Sequence, residues 1–164
     1  MKTYARWIHY HFYEICKCDL ETPLILEYIN TIFGNNFYIN EIFKDKSFDF
    51  TYKEFRELTN LSHNRDFLKR LHKLSDLGYI KYELNKNKTI KIIFNLSNVF
   101  RAFIFLIEEN SINQLSLNLY RFGKYTFKDI CELLKIRDIK SGKRNFVEIY
   151  HRSIKPYYFD ICGK

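Results

Sequence analysis

Between Phe50 and Leu96 the chain changes its hydrophobic rhythm from helical to alternating, and this order constrains the fold more than any other feature. Thr51 is placed to cap a short helix while Glu54, three residues on, reaches back to the cap, so two of four orphan amides gain side-chain partners. Phe55 and Leu58 then share a face. The turn Thr59-Asn60-Leu61-Ser62 follows, with Leu61 between the helices and Ser62 positioned to cap the next one. In that helix Phe67, Leu68, Leu71, Leu74 and Leu77 recur at helical spacing and form one apolar stripe that needs a core. Gly78 is expected to end it in the left-handed conformation. Tyr79–Leu84 and Thr89–Phe94 read as strands, joined by the polar tip Asn85-Lys86-Asn87-Lys88.

The side of the second helix that faces away from the stripe is basic. With Leu71 at the buried centre, a step of about 100° per residue puts Arg65, Lys69, Lys73 and Asp76 opposite, with Arg70 and His72 on the flanks. His63 and Asn64 stand at the exposed start. Asp66 and Asp76 lower the positive potential of this face.

Helix, turn, basic helix and lysine-tipped hairpin in this order resemble a winged helix-turn-helix, and the expected fold class is mainly α with small β (α+β). The resemblance implies major-groove entry, with N-terminal side chains of the recognition helix meeting base edges and flanking cations meeting phosphates. Lys86 and Lys88 on the wing would then hold the adjacent backbone or minor groove. Modules of this kind also dock proteins without touching DNA.

Composition agrees with an anionic partner. The 164 residues carry a net charge of +8 and can bury one large core or two small ones. Aromatic residues make up 18%, but alongside abundant Ile, Lys and Asn this resembles an AT-rich coding bias, so it is weak support for base stacking. No stretch is long and apolar enough to span a bilayer, and Arg6, His9, His11 and Glu14 interrupt the start, which predicts no membrane association, no cleavable leader and a cytoplasmic protein. Cys16, Cys18, Cys131 and Cys162 are then expected as reduced thiols. The longest apolar run, Phe100 to Ile107, contains Arg101 and precedes Glu108-Glu109, as a buried helix of a soluble protein would.

Other segments are helical by pattern. Thr3 to Lys17 places Tyr4, Ile8, Phe12 and Ile15 on one side, and Thr22-Pro23 starts a helix carrying Leu24, Leu26, Ile29 and Phe33, which Gly34-Asn35-Asn36 is expected to stop. Residues 37–48 admit a short helix or an extended arm. Ser97 is placed to cap a helix with Val99, Phe100, Phe103, Ile104 and Ile107, ending at Asn110. Then the first device recurs. Tyr125–Ile136 matches Phe50–Leu61 with its capping Thr, acidic third position and apolar residues in register, and Arg144–Arg152 echoes Arg65–Lys73. Lys140, Lys143, Arg144, Arg152 and Lys155 give this copy a positive surface. The expected organisation is residues 1–110 as a winged-helix unit with N-terminal helices, and residues 111–164 as a second, partial winged-helix-like unit, since little chain remains for a full wing. The alternative is a helical extension packed on the first unit.

Two motifs with enzymatic parallels stand in poor context. His9-Tyr10-His11 and Tyr125-Thr126-Phe127-Lys128 resemble the metal-binding and nucleophile motifs of rolling-circle nicking nucleases, but on a helix the two imidazoles point about 200° apart. Cys16-Lys17-Cys18 is spaced too tightly for a good zinc chelate, so a thiol acting as a small hydrophobe is the expectation. The five glycines form no nucleotide-cradling loop, and Glu14, Glu108 and Glu109 form no convincing acid pair.

The tandem pattern resembles two-winged-helix plasmid replication initiators. That resemblance implies DNA contacts from His63, Asn64, Arg65, Lys69, Lys143, Arg144 and Glu148, and a dimer–monomer switch. A second resemblance, to phage replisome organisers and small regulators of mobile elements, needs only the first unit. The expectation is a non-enzymatic, sequence-specific double-stranded DNA-binding protein, a homodimer without cofactor or metal. Its contacts are expected at Ser62, His63, Asn64, Arg65, Lys69, His72, Lys73, Lys86, Lys88, Lys140, Lys143, Arg144 and Arg152. The contrary class is a winged-helix adaptor or inhibitor, with Tyr4, Trp7, Tyr10 and Tyr13 as an interface, and the third is a metal-dependent nicking nuclease.

Overall fold

A computed structural model describes residues 10–17, 19–36, 47–59, 64–109 and 112–133. Two helices come first, α1 (Tyr10–Cys16) and α2 (Glu21–Asn36). Strand β1 (Ser47–Thr51), helices α3 (Tyr52–Thr59) and α4 (Asn64–Asp76), and strands β2 (Ile80–Leu84) and β3 (Thr89–Phe94) follow. The chain continues through α5 (Leu96–Glu108), α6 (Gln114–Asn118), β4 (Arg121–Phe122), β5 (Tyr125–Thr126) and α7 (Phe127–Leu133). The class is α+β with small antiparallel sheets: three strands in the order β1-β3-β2, and the pair β4-β5.

The helix ends are built by side chains that the sequence places at the right spacing. Thr51 donates its amide to Glu54 Oε2 at 2.6 Å and Thr51 Oγ1 accepts the Glu54 amide at 3.2 Å, the reciprocal cap expected of Thr-x-x-Glu. Thr126 and Asp129 repeat it at 2.8 and 3.2 Å. At the far end of α4, Gly78 takes φ 82°. Its amide reaches Ser75 O at 2.9 Å and the Tyr79 amide reaches Leu74 O at 3.0 Å, so a left-handed glycine closes the helix as anticipated.

One expected helix end holds and two expected helix starts are corrected. Helix α2 ends at Asn36, within the expected stop Gly34-Asn35-Asn36, where Gly34 lies against the β4–β5 turn. Its start is capped by Asp19, whose Oδ1 accepts the Thr22 amide at 2.7 Å, rather than by Thr22 itself. Helix α5 is capped by Asn95, which accepts the Asn98 amide at 3.1 Å, so Ser97 falls inside the helix. Asn95 prevails because its amide still closes the ladder to Tyr79 O at 2.9 Å, making it the first residue free to turn.

The core is one continuous aromatic and aliphatic cluster. Strand β3 alternates, burying Ile90, Ile92 and Phe94, while β1 adds Phe48 and Phe50 opposite Ile92 and Ile90. Phe33 of α2 meets Phe48, Phe94 and Phe122 with ring centroids 5.1–5.3 Å apart. Phe100 of α5 stacks on Phe127 of α7 at 4.4 Å. Residues on both sides of the expected 110/111 division therefore feed the same core. Asn30 ties them further, accepting the Tyr120 hydroxyl and donating to Arg121 O at 3.2 Å. Among the described residues no helix is long and apolar enough to cross a membrane.

Candidate nucleic-acid interface

Helix α4 is fixed by what it buries. Phe67, Leu71 and Leu74 are wholly buried, and Phe67 packs on Phe55 of α3 with centroids 6.2 Å apart. The rotation that this imposes leaves Arg65, Lys69, His72 and Asp76 exposed, as the helical spacing predicts. A shallow depression of about 630 Å³ on this side is lined by Arg65, Asp66, Leu68, Lys69 and His72. His72 Nε2 lies 3.5 Å from Asp76 on an exposed i,i+4 pair.

Lys73 does not join that free face. Its ammonium lies 2.9 Å from Asp19 Oδ2, and Arg70 Nε lies 3.5 Å from Asp19 Oδ1. Rotation about the helix axis places Lys69 and Lys73 almost equally far from Leu71, so it does not separate them. What does is the start of α2, which runs beside the C-terminal half of α4 and offers a carboxylate there. Burial alone would raise the Asp19 carboxyl, but hydrogen bonds from Lys73 and Thr22 and the Arg70 charge outweigh it and lower it to about 2. Asp19 is thus the residue that the sequence reading missed; Asp three positions ahead of Thr22 signals the cap, whereas the tertiary ion pair leaves no local signal.

The folded value of Asp19 lies below the ordinary aspartate value of 3.8, so the stabilisation is complete above that pH and disappears as pH falls towards 2. Asp19→Ala should cost about 1–2 kcal/mol at pH 7 through the lost cap and ion pairs, and the gap to wild type should narrow at pH 2.5 in urea titrations. A gap that stays constant between the two pH values contradicts the pairing.

The β2–β3 tip carries the other expected cations, and Lys86 and Lys88 are both exposed. The tip is held by its asparagines: Asn85 donates to Thr89 Oγ1 at 2.9 Å and to Asp49 Oδ1 at 3.1 Å, and the Thr89 hydroxyl donates to Asn87 Oδ1 at 2.6 Å. Lys88 sits at φ 62°, where a glycine is favoured. The cations Lys53 and Arg56 on α3 are exposed too and were not among the expected contacts.

Asn64 opens α4. Ser62, His63, Lys140, Lys143, Arg144 and Arg152 lie outside the described residues, as does the second half of the expected repeat, so α7 and its cap are the part of that copy on view. His11 belongs to a helix, not a strand, and is buried among the rings of Phe12, Phe103 and Tyr120 at 5.1–5.5 Å. Cys16 and Cys131 are buried thiols, and burial pushes Cys131 up to about 12. Comparison with protein-family models, curated proteins and solved structures found no match.

Proposed function

We propose that the chain is a winged helix-turn-helix protein that binds double-stranded DNA in the cytoplasm, with α4 as the reading helix and the β2–β3 hairpin as the wing. The order α2-β1-α3-α4-β2-β3 and the sheet order β1-β3-β2 support the first part. The observation that carries the reading is the outward side of α4, where Arg65 and Lys69 stand exposed beside a shallow depression while Phe67, Leu71 and Leu74 anchor the opposite side. Arg65 is assigned to base edges, because guanidinium presents paired donors to guanine, and Lys69, Lys86 and Lys88 to phosphates. Lys73, held by Asp19, is assigned to positioning α4 rather than to the duplex. The role, in line with the initiator resemblance, is replication initiation or regulation on a plasmid, phage or other mobile element.

Titration against duplex DNA at 50 and 200 mM salt tests this against the adaptor reading. About four to six phosphate contacts should reduce affinity roughly 100- to 1,000-fold between the two salts. Absence of binding at the lower salt sinks the proposal. The wing supplies a second check: Lys88→Gly removes a cation but relieves the left-handed strain, so stability should hold or rise by up to about 0.5 kcal/mol while duplex affinity falls several-fold. Unchanged affinity would remove the wing from the interface.

A further inference from the structure

Helix α5 is buried around most of its circumference, with Val99, Phe100, Phe103, Ile104 and Ile107 in the core, but one stripe faces outward. Arg101 and Glu109 are exposed there, and Phe105 between them is 45% exposed. The three are spaced four residues apart, with Glu109 as the C-cap of α5, and each step rises about 6 Å and turns about 40°, so they form a slanting ridge: cation, aromatic ring, carboxylate. Such a ridge is its own complement under a two-fold axis when the two helices cross at about 50°. A second copy laid antiparallel sets ring against ring and each Arg101 against the opposite Glu109, whereas a parallel copy sets like charge on like.

The ground beside the stripe is suited to the same contact. A depression of about 450 Å³ joins the stripe to the end of α1 and the turn after α4, and its lining includes Ile15, Leu77 and Ala102. Leu77 is 41% exposed at its edge. The charged residues of this lining balance, Lys17 and Arg101 against Glu14 and Glu109, on a chain whose net charge is +8. A neutral, partly apolar patch on a cationic protein is poorly suited to a nucleic acid, and it is where two cationic copies approach at least cost. Arg101 and Phe105 also engage groups of their own chain, yet both keep exposed surface.

We propose that this face joins two copies of the chain through an antiparallel α5–α5 contact centred on Phe105. The surface is separate from Arg65 and Lys69, and its test uses no DNA. Because exposed ion pairs add little affinity, the charges set direction and the apolar centre supplies the attraction.

Sedimentation of the full chain from about 1 to 200 μM should show a 20.1 kDa species giving way to one of twice that mass. Arg101→Glu sets carboxylate against carboxylate and should weaken the dimer about 10-fold or more, as should Glu109→Arg by setting cation on cation. The double variant, Arg101→Glu with Glu109→Arg, restores a self-complementary ridge and should recover dimerisation to within about threefold. A monomer at the highest concentration overturns the proposal and leaves the face to a different protein. So do two single reversals without effect, or a folded double variant that does not recover. If one single variant does not fold, the other carries the same comparison.

Discussion

Gly34→Ala should destabilise the protein by about 3 kcal/mol or more, lowering the melting temperature by roughly 10 °C. In an ordinary helix the same change stabilises by about 0.5–1 kcal/mol, so the sign itself is diagnostic. A Cβ on Gly34 would stand 2.7 Å from the Phe122 carbonyl carbon and 2.9 Å from Gly123 Cα. Both are backbone atoms, so no side-chain rotation relieves the clash. The β4–β5 hairpin would have to move as a unit, and it is anchored by buried Phe122 and by Asn30. Gly123 has the mirror constraint, with φ 60° and the Gly34 backbone against it. Thermal and urea unfolding check this; a Gly34→Ala variant as stable as wild type would mean that the hairpin does not rest on α2.

Reversing two charges on α4 should have the largest effect on binding. Arg65→Glu with Lys69→Glu removes the proposed base-edge donor and the proposed phosphate contact and adds two repulsions, which should lower duplex affinity about 1,000-fold at low salt. The control is Lys124→Glu with Lys128→Glu, which changes net charge equally. Those residues are exposed on the β4–β5 turn and on α7, elements that pack against α2 and α5. The control should lose about 10-fold or less. Equal losses in the two pairs would assign the interaction to bulk charge and remove α4 from its special place.

How far the sequence reveals this fold depends on the range of the forces involved. Helices α3, α4 and α5 and the β2–β3 hairpin were readable because their apolar periods and the Thr51–Glu54 and Gly78 ends are local features. Arg65, Lys69, His72, Lys86 and Lys88 were expected on the surface and are exposed. Strand β1 escaped although Ser47-Phe48-Asp49-Phe50-Thr51 alternates, because five residues are a short signal and Thr51 also reads as a helix cap; it forms because β3 offers it a partner, Phe48 opposite Ile92 and Phe50 opposite Ile90. The packing role of Gly34 has no local signal, because the turn that needs its missing side chain is far along the chain. Lys73 was placed on the free face for a similar reason: its partner Asp19 precedes it by 54 residues.

The central claim is that the exposed side of α4 reads bases, and selection of bound duplexes from a random pool tests it most directly. Wild type should enrich one recurring site. Lys69→Ala should recover the same site with weaker binding, and Arg65→Ala should recover it relaxed at one or two adjacent positions. A pool that yields no recurring site, or an Arg65→Ala site identical to that of wild type at every position, would contradict the account.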